Sequence, residues 1–137
     1  MPLLDLVIEK NKDTVKLVFK NYPLPNHMYA RKAAAAVLAA DTKGKYWEFH
    51  EALFENIRQL GDEKVREIAT SLGLDADEIE KEMKSKKIQA IINQDIRDGK
   101  KAGVQGTPAI FINGRQLKNV SLQGIQDIIN DQLKKRP

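Results

Sequence analysis

The chain has 137 residues, which is long enough for one domain with a buried core and too short for two. Hydrophobic residues make up 42% of it and charged residues 31%, as in an ordinary globular protein, and the net charge of +4 comes from scattered residues without a nucleic-acid-binding motif. The sequence contains no cysteine, which excludes disulfides, thiolate metal sites and thiol nucleophiles and leaves the redox compartment open.

The first predicted element is a short amphipathic helix over residues 3–10, with Leu4 and Val7 on one face. Pro2 and Asp5 stand where a secretion signal would need basic residues followed by an unbroken apolar run, so we predict no signal peptide. No apolar run of about 18 residues or more occurs in the sequence, so we also predict no membrane-spanning helix.

Residues 14–20 are predicted to form a β-strand. Val15, Leu17 and Phe19 fall on one face of this strand, and Val18 falls on the other. Apolar side chains on both faces favour a strand in a sheet that helices cover on both sides.

Between residues 27 and 102 the sequence predicts helices only. Apolar residues recur at helical spacing in four segments, which are residues 28–41, 45–60, 62–72 and 75–102. Gly44 and Gly73 are predicted to end the first and third of these helices. Asp62 and Asp75 are predicted to cap the starts of the third and fourth.

The aromatic side chains Trp47, Phe49 and Phe54 also follow helical spacing, and we predict that they belong to the core rather than to a ligand-binding cage. The two histidines, His27 and His50, do not form a compact ligand pattern, so we predict no metal site. No serine lies in a Gly-x-Ser-x-Gly elbow, so we predict no serine-based triad.

The most informative stretch runs from Gly103 to Arg115. Gly103 is predicted to end the preceding helix, and Thr107 and Pro108 then form a tight corner before a strand over residues 109–112. An X-Pro bond at such a corner is a candidate for the cis form, so we predict that the Thr107–Pro108 bond is cis.

The Asn-Gly pair at residues 113–114 is the strongest short signal for a β-hairpin, so we predict a second strand over residues 116–118. Ser121 is predicted to cap a last amphipathic helix that buries Ile125 and Ile129.

Two motifs resemble the DsbA-like thioredoxin family of bacterial thiol:disulfide oxidoreductases. Residues 103–115 read Gly-Val-x-Gly-Thr-Pro-x-x-Phe-x-Asn-Gly-Arg, similar to the cis-proline loop and following hairpin of that family. Residues 44–56, Gly-Lys-Tyr-Trp-Glu-Phe-His-Glu-Ala-Leu-Phe-Glu-Asn, resemble its helical insertion. The resemblance covers nearly the whole chain and departs from the family at residues 119–120, where Asn-Val replaces a frequent Gly-Ala pair.

The resemblance implies an α/β, thioredoxin-like fold with a small central sheet flanked by helices. Residues 1–137 would form a single thioredoxin-like domain, and residues 27–102 would be the helical insertion within it. Residues 3–10 resemble the last turns of the helix that carries the family's Cys-x-x-Cys pair. The domain would therefore be truncated at its N-terminus, and the dithiol would lie upstream of residue 1.

The resemblance also implies a function and a site. The chain would be the C-terminal portion of a thiol:disulfide oxidoreductase, itself redox-inactive, with no catalytic residue and no cofactor. Gly106, Thr107 and Pro108 would bind an extended polypeptide substrate by β-augmentation. The alternative is a cysteine-free peptide-binding module that uses the same groove. A third interpretation, a glutathione-dependent enzyme with a serine nucleophile, is weak because no serine precedes Leu3.

The implied partners follow from the missing strand that precedes the dithiol helix in the family. That strand would lie between residues 15–19 and residues 109–112, so its absence would expose unpaired backbone groups on both flanks. We therefore predict a homodimer or swapped oligomer through these strand edges, and neither a nucleic-acid nor a membrane partner. The resemblance suggests a periplasmic or other extracytoplasmic location, which the sequence itself leaves unknown.

Overall fold

The computed structural model describes residues 2–136, which form seven α-helices, one 3-10 helix and a two-stranded sheet. The described residues divide into two compact units, one of which comprises the residues up to Phe19 together with those from Gly106 onward, whereas the other is Lys20–Gln105. The elements are α1 Pro2–Lys10, α2 Ala30–Asp41, α3 Tyr46–Glu55, the 3-10 helix Ile57–Gln59, α4 Asp62–Ser71, α5 Ala76–Met83, α6 Lys86–Lys101, β1 Phe111–Ile112, β2 Arg115–Gln116 and α7 Leu122–Lys134.

We call the unit that comprises the residues up to Phe19 and those from Gly106 onward the terminal unit. Its two strands pair antiparallel, with Phe111 opposite Gln116 and Ile112 opposite Arg115. Asn113 and Gly114 join them with φ angles of 48° and 82°, the left-handed backbone that a two-residue hairpin turn requires. The predicted hairpin is confirmed, but its strands are two residues each and shorter than predicted.

Helices α1 and α7 supply the core of the terminal unit. The buried side chains are Leu4, Val7, Leu117, Ile125 and Ile129. The hydroxyl of Ser121 accepts a hydrogen bond from the backbone N–H of Gly124 at 3.0 Å, so the predicted cap of α7 is confirmed. The short helix predicted for residues 3–10 is confirmed as α1, and it packs against α7.

The strand predicted over residues 14–20 is wrong as a paired strand. Val15, Leu17 and Phe19 are half-buried against the core of the terminal unit and alternate with exposed residues, as the pattern predicts. However, this segment pairs with no strand in the described part of the chain. Its burial therefore follows the two-residue period of a strand, although residues 2–136 supply no strand that pairs with it.

We call Lys20–Gln105 the helical unit. Its central helix α2 buries four alanines that are at most 2% exposed, Ala35, Ala36, Ala39 and Ala40. Because alanine side chains are short, α3, α5 and α6 pack closely around α2. The largest fully buried side chains of this core are Phe49, Ile79, Ile92 and Val65.

The single long helix predicted from residue 75 to 102 is wrong, because the chain breaks it at Lys84 and Ser85. Helix α5 ends at Met83, and Ser85 starts α6 by accepting a hydrogen bond from the backbone N–H of Ile88 at 3.3 Å. The start of α5 is as predicted, since the carboxylate of Asp75 accepts from the backbone N–H groups of Asp77 and Glu78.

Three smaller predictions about the helical unit are also wrong. The helix predicted over residues 45–60 ends at Glu55 and continues as the 3-10 turn. The cap of α4 is Gly61, so Asp62 is the first helical residue rather than the cap. Phe49 is buried as predicted, but Trp47 and Phe54 are 54% and 56% exposed and do not belong to the core.

The buried carboxylate of Asp95 links the start of the helical unit to α6 by hydrogen bonds. Asp95, which is 9% exposed, accepts hydrogen bonds from the backbone N–H and the side-chain amide of Asn21 at 2.9 and 3.0 Å. The ammonium group of Lys20 lies 3.7 Å from the same carboxylate and 3.2 Å from that of Asp98. These contacts hold the extended residues 20–21 along the helix.

None of the helices within residues 2–136 is both long enough and apolar enough to cross a membrane. The domain boundaries proposed above, a single domain over residues 1–137 that is incomplete at its N-terminus and has an insertion at residues 27–102, stay predictions.

Candidate functional site

The candidate site is the loop of residues 106–108. Helix α6 ends shortly before this loop, and Gly103 follows its last turn. The backbone N–H of Gly103 donates to the carbonyl of Lys100 at 3.1 Å, and that of Val104 donates to the carbonyl of Gly99 at 3.0 Å. With Gly103 at a φ angle of 80°, these two bonds form a Schellman motif. The predicted helix stop at Gly103 is confirmed.

Tyr22 holds the backbone that follows this helix end. Its hydroxyl donates a hydrogen bond to the carbonyl of Val104 at 3.2 Å. Its ring lies so close to Gly99 that a Cβ atom there would stand 2.6 Å from the ring carbon Cε2. A glycine in the interior of a predicted helix is a signal for such a close contact, and that signal could have drawn attention to Tyr22.

The residues that follow the loop are hydrogen-bonded in the β1–β2 hairpin. The backbone N–H of Leu117 donates to the carbonyl of Ile110 at 2.9 Å, which extends the pairing of β1 and β2 by one bond. Asn113 at the turn donates from its side chain to the side-chain carbonyl of Gln132 in α7 at 3.2 Å. The residues that follow the loop are therefore fixed to the body of the terminal unit.

Gly106, Thr107 and Pro108 themselves are all exposed. The Thr107–Pro108 peptide bond is cis, as predicted. Within residues 2–136, neither the N–H nor the carbonyl of Gly106 or Thr107 takes part in a hydrogen bond. The loop thus presents backbone donors and acceptors to the surface, and such groups can pair with another extended backbone.

No group of three or more His, Asp or Glu side chains in the described residues could hold a metal ion. His27 is exposed ahead of α2, whereas His50 is half-buried on α3, where burial lowers the pKa of its imidazole below the ordinary value. The ring of His50 lies 5.9 Å from that of Tyr46 and 4.8 Å from that of Phe54, so His50 makes aromatic contacts with both.

A comparison of the sequence with family models and a comparison of the structure with solved structures both match DsbA-like proteins. The sequence model of the DSBA-like thioredoxin domain matches residues 4–130. The crystal structure of the thiol-disulfide exchange protein alpha-DsbA2 from Wolbachia pipientis superposes with a TM-score of 0.79 at 25% identity, covering 95% of this chain and 72% of that one.

Two curated relatives match over most of this chain but over only part of their own length. A probable disulfide bond formation protein D from Bacillus cereus is 26% identical over 133 residues, which are 91% of this chain and 61% of the relative. A Na(+)/H(+) antiporter NhaA 3 from Salinispora tropica is 33% identical over 104 residues, which are 75% of this chain but 16% of the antiporter. The chain therefore spans less than two thirds of the length of either relative.

Proposed function

Because the chain belongs to the DSBA-like thioredoxin domain family, we propose that residues 106–108 bind an extended polypeptide that is a substrate for disulfide exchange. The family is one of thiol:disulfide oxidoreductases, and its members hold a substrate strand beside the dithiol by β-augmentation. In this chain Thr107 stands at the position before the proline, so its backbone N–H and carbonyl would pair with the substrate.

The observation that carries this proposal is the state of the loop backbone. Thr107 is exposed, and its N–H and carbonyl form no hydrogen bond within the described residues. The hairpin after Ile110, which lies in the same unit as the loop, fixes the chain that follows it. A backbone that is fixed in this way loses less conformational entropy when a peptide pairs with it.

We further propose that the chain is the C-terminal portion of an oxidoreductase and is redox-inactive by itself. Disulfide exchange begins when a thiolate attacks a disulfide sulfur, and this sequence contains no cysteine. The attacking thiolate would come from a Cys-x-x-Cys pair in a segment outside these 137 residues. The chain itself would contribute the peptide-binding loop.

The binding proposal is tested by removing one backbone donor. Thr107→Pro eliminates the N–H of residue 107, whereas Thr107→Val keeps it and removes only the hydroxyl. With a short extended peptide rich in valine and threonine, we expect Thr107→Pro to weaken binding about tenfold, because one main-chain hydrogen bond is lost. Isothermal titration calorimetry measures the dissociation constants.

The Thr107→Val variant is the matched control, and we expect it to bind the peptide within about twofold of the unmodified chain, since the backbone rather than the hydroxyl pairs. Thermal unfolding of both variants checks that the fold is kept. Equal affinities for the Pro and Val variants would contradict the proposal that the Thr107 backbone binds the peptide.

The redox proposal has a separate test. In an insulin reduction assay with dithiothreitol as the reductant, we expect the purified chain to leave the rate at its background value, because no sulfur nucleophile is present. A rate that rises with the concentration of the chain would show a mechanism that does not use a thiolate and would refute this part of the proposal.

The absence of cysteine also favours a second candidate, a peptide-binding module that never had a dithiol. The coding sequence upstream of the Met1 codon separates the two. An in-frame Cys-x-x-Cys there supports the oxidoreductase, and an in-frame stop codon supports the binding module. The loop of residues 106–108 would bind an extended peptide in both cases.

A further inference from the structure

Helix α3 exposes a row of large side chains. Trp47 and Phe54 are each more than half exposed, and so is Ile57 in the 3-10 turn that follows the helix. His50 lies between the two aromatic residues, with its ring 6.0 Å from that of Trp47 and 4.8 Å from that of Phe54. We call Trp47, His50 and Phe54 the aromatic stripe. An exposed apolar surface of contiguous side chains marks a place where another molecule binds.

The aromatic stripe stands on a helix that the core of the helical unit holds in place. Residues three, four and seven positions apart share one face of a helix, so positions 47, 50 and 54 form a single row. The adjacent face of α3 buries Phe49 and Leu53 in that core. Because α3 is anchored in this way, a partner that covers the stripe restricts few further torsions of the chain.

A row of glutamates runs beside the aromatic stripe. Glu48, Glu51 and Glu55 have the same spacing one residue further along, which turns their row by about 100° around the helix. All three are exposed, and none forms an ion pair within residues 2–136. Helix α3 contains no Lys or Arg, and the nearest basic residues in the sequence are Lys45 before it and Arg58 after it. In a chain whose net charge is +4, this acidic row is a local feature that favours a positively charged partner.

We propose that the aromatic stripe binds an amphipathic α-helix of a partner protein, one whose apolar side chains are flanked by Lys or Arg. The apolar side chains of the partner cover Trp47 and Phe54, and its cations face the three glutamates. The partner segment is a helix rather than a strand, because the backbone groups of α3 already pair along their own helix and leave no edge for β-augmentation. A helical partner likewise satisfies its own backbone groups.

The charge of the acidic row disfavours other occupants. A second copy that docked through the same surface in a twofold arrangement would place glutamates opposite glutamates. An anionic membrane surface would repel them as well. A preceding segment of the same protein, by the family resemblance, belongs between residues 15–19 and 109–112 of the terminal unit, whereas α3 belongs to the helical unit.

Trp47 is the single tryptophan of the sequence, so its fluorescence reports on this surface alone. The probe is a synthetic amphipathic helix of leucine, alanine and lysine, and its matched control carries glutamate in place of lysine. We expect the lysine peptide to move the Trp47 emission to shorter wavelength, because the indole leaves water. We expect the glutamate peptide to bind about tenfold more weakly or worse, and added salt to weaken the lysine complex.

Two pairs of variants separate the apolar contribution from the charge. Phe54→Ala removes an aromatic anchor and is expected to weaken binding of the lysine peptide about tenfold. Its control is Ile91→Ala, a change at an exposed apolar residue of α6, which is expected to leave the affinity within about twofold. Glu51→Gln is expected to weaken binding about threefold, and its control Glu63→Gln, at an exposed glutamate of α4, is expected to leave it unchanged. Circular dichroism checks that each variant folds.

Several results would overturn the proposal. Equal affinities for the lysine and glutamate peptides would remove the role of the acidic row, and equal affinities for Phe54→Ala and Ile91→Ala would remove that of the aromatic stripe. A shift of the Trp47 emission with chain concentration alone would identify a second copy as the occupant, and a shift with phosphatidylcholine vesicles but not with the lysine peptide would identify a lipid surface. If the coding sequence continues upstream of Met1, a longer product that fails to bind the lysine peptide in calorimetry would show that a preceding segment covers the stripe.

Discussion

Replacing Phe49 with alanine is expected to lower the free energy of unfolding of the helical unit by about 3–5 kcal/mol. The Phe49 side chain is completely buried in the core around α2, where it is among the largest fully buried side chains. Truncation to alanine removes its apolar surface from that core and leaves a cavity that the surrounding helices fill only in part. Such a loss is a large fraction of the stability of a domain of this size.

Urea unfolding followed by circular dichroism measures this change. The matched control is Phe54→Ala, because Phe54 lies on the same helix but is 56% exposed. We expect the control to lower the free energy of unfolding by less than about 1 kcal/mol, since little buried surface is lost. Similar costs for the two variants would mean that Phe49 does not occupy the core position described above.

We expect the second large effect from Asp95→Ala, which lowers the free energy of unfolding by about 2–4 kcal/mol. The Asp95 carboxylate is nearly buried and accepts two hydrogen bonds from Asn21, one from the backbone and one from the side chain. Alanine leaves both of these donors without their partner and removes the nearby negative charge from Lys20. The extended residues at the start of the helical unit would then detach from α6.

Asp98→Ala is the control for this prediction. Asp98 also contacts Lys20, at 3.2 Å, but its side chain is 38% exposed. A solvent-exposed ion pair contributes little to stability, so we expect only a small change in the urea midpoint for the control. If Asp98→Ala destabilised the chain as much as Asp95→Ala, the charge of Lys20 rather than the hydrogen bonds from Asn21 would be the main contribution.

Features that depend on a few neighbouring residues could be predicted from the sequence. The helix stop at Gly103, the turn at Asn113 and Gly114, and the caps at Asp75 and Ser121 all depend on local backbone geometry or on hydrogen bonds within one turn. The position of the candidate loop between Gly103 and the hairpin could be predicted for the same reason.

Features that depend on distant residues could not be predicted in this way. One local feature is hidden as well, because the apolar period continues from α5 into α6 across the break at Ser85, although that cap is of the same local kind as Ser121. The alternation of residues 14–20 shows a strand-like burial pattern, but the presence of a pairing partner depends on another part of the fold. Helical spacing likewise places Trp47 and Phe54 on a helix without showing whether another helix covers them.

The central claim is that the exposed backbone of Thr107 pairs with an extended peptide. A nuclear magnetic resonance titration of the isotope-labelled chain with the valine- and threonine-rich peptide tests it most directly. We expect the largest changes at the amides of Gly106, Thr107 and Ala109, and slower hydrogen exchange of the Thr107 amide in the complex. Peptide binding that leaves these amides unchanged and alters only residues elsewhere in the chain would contradict the claim.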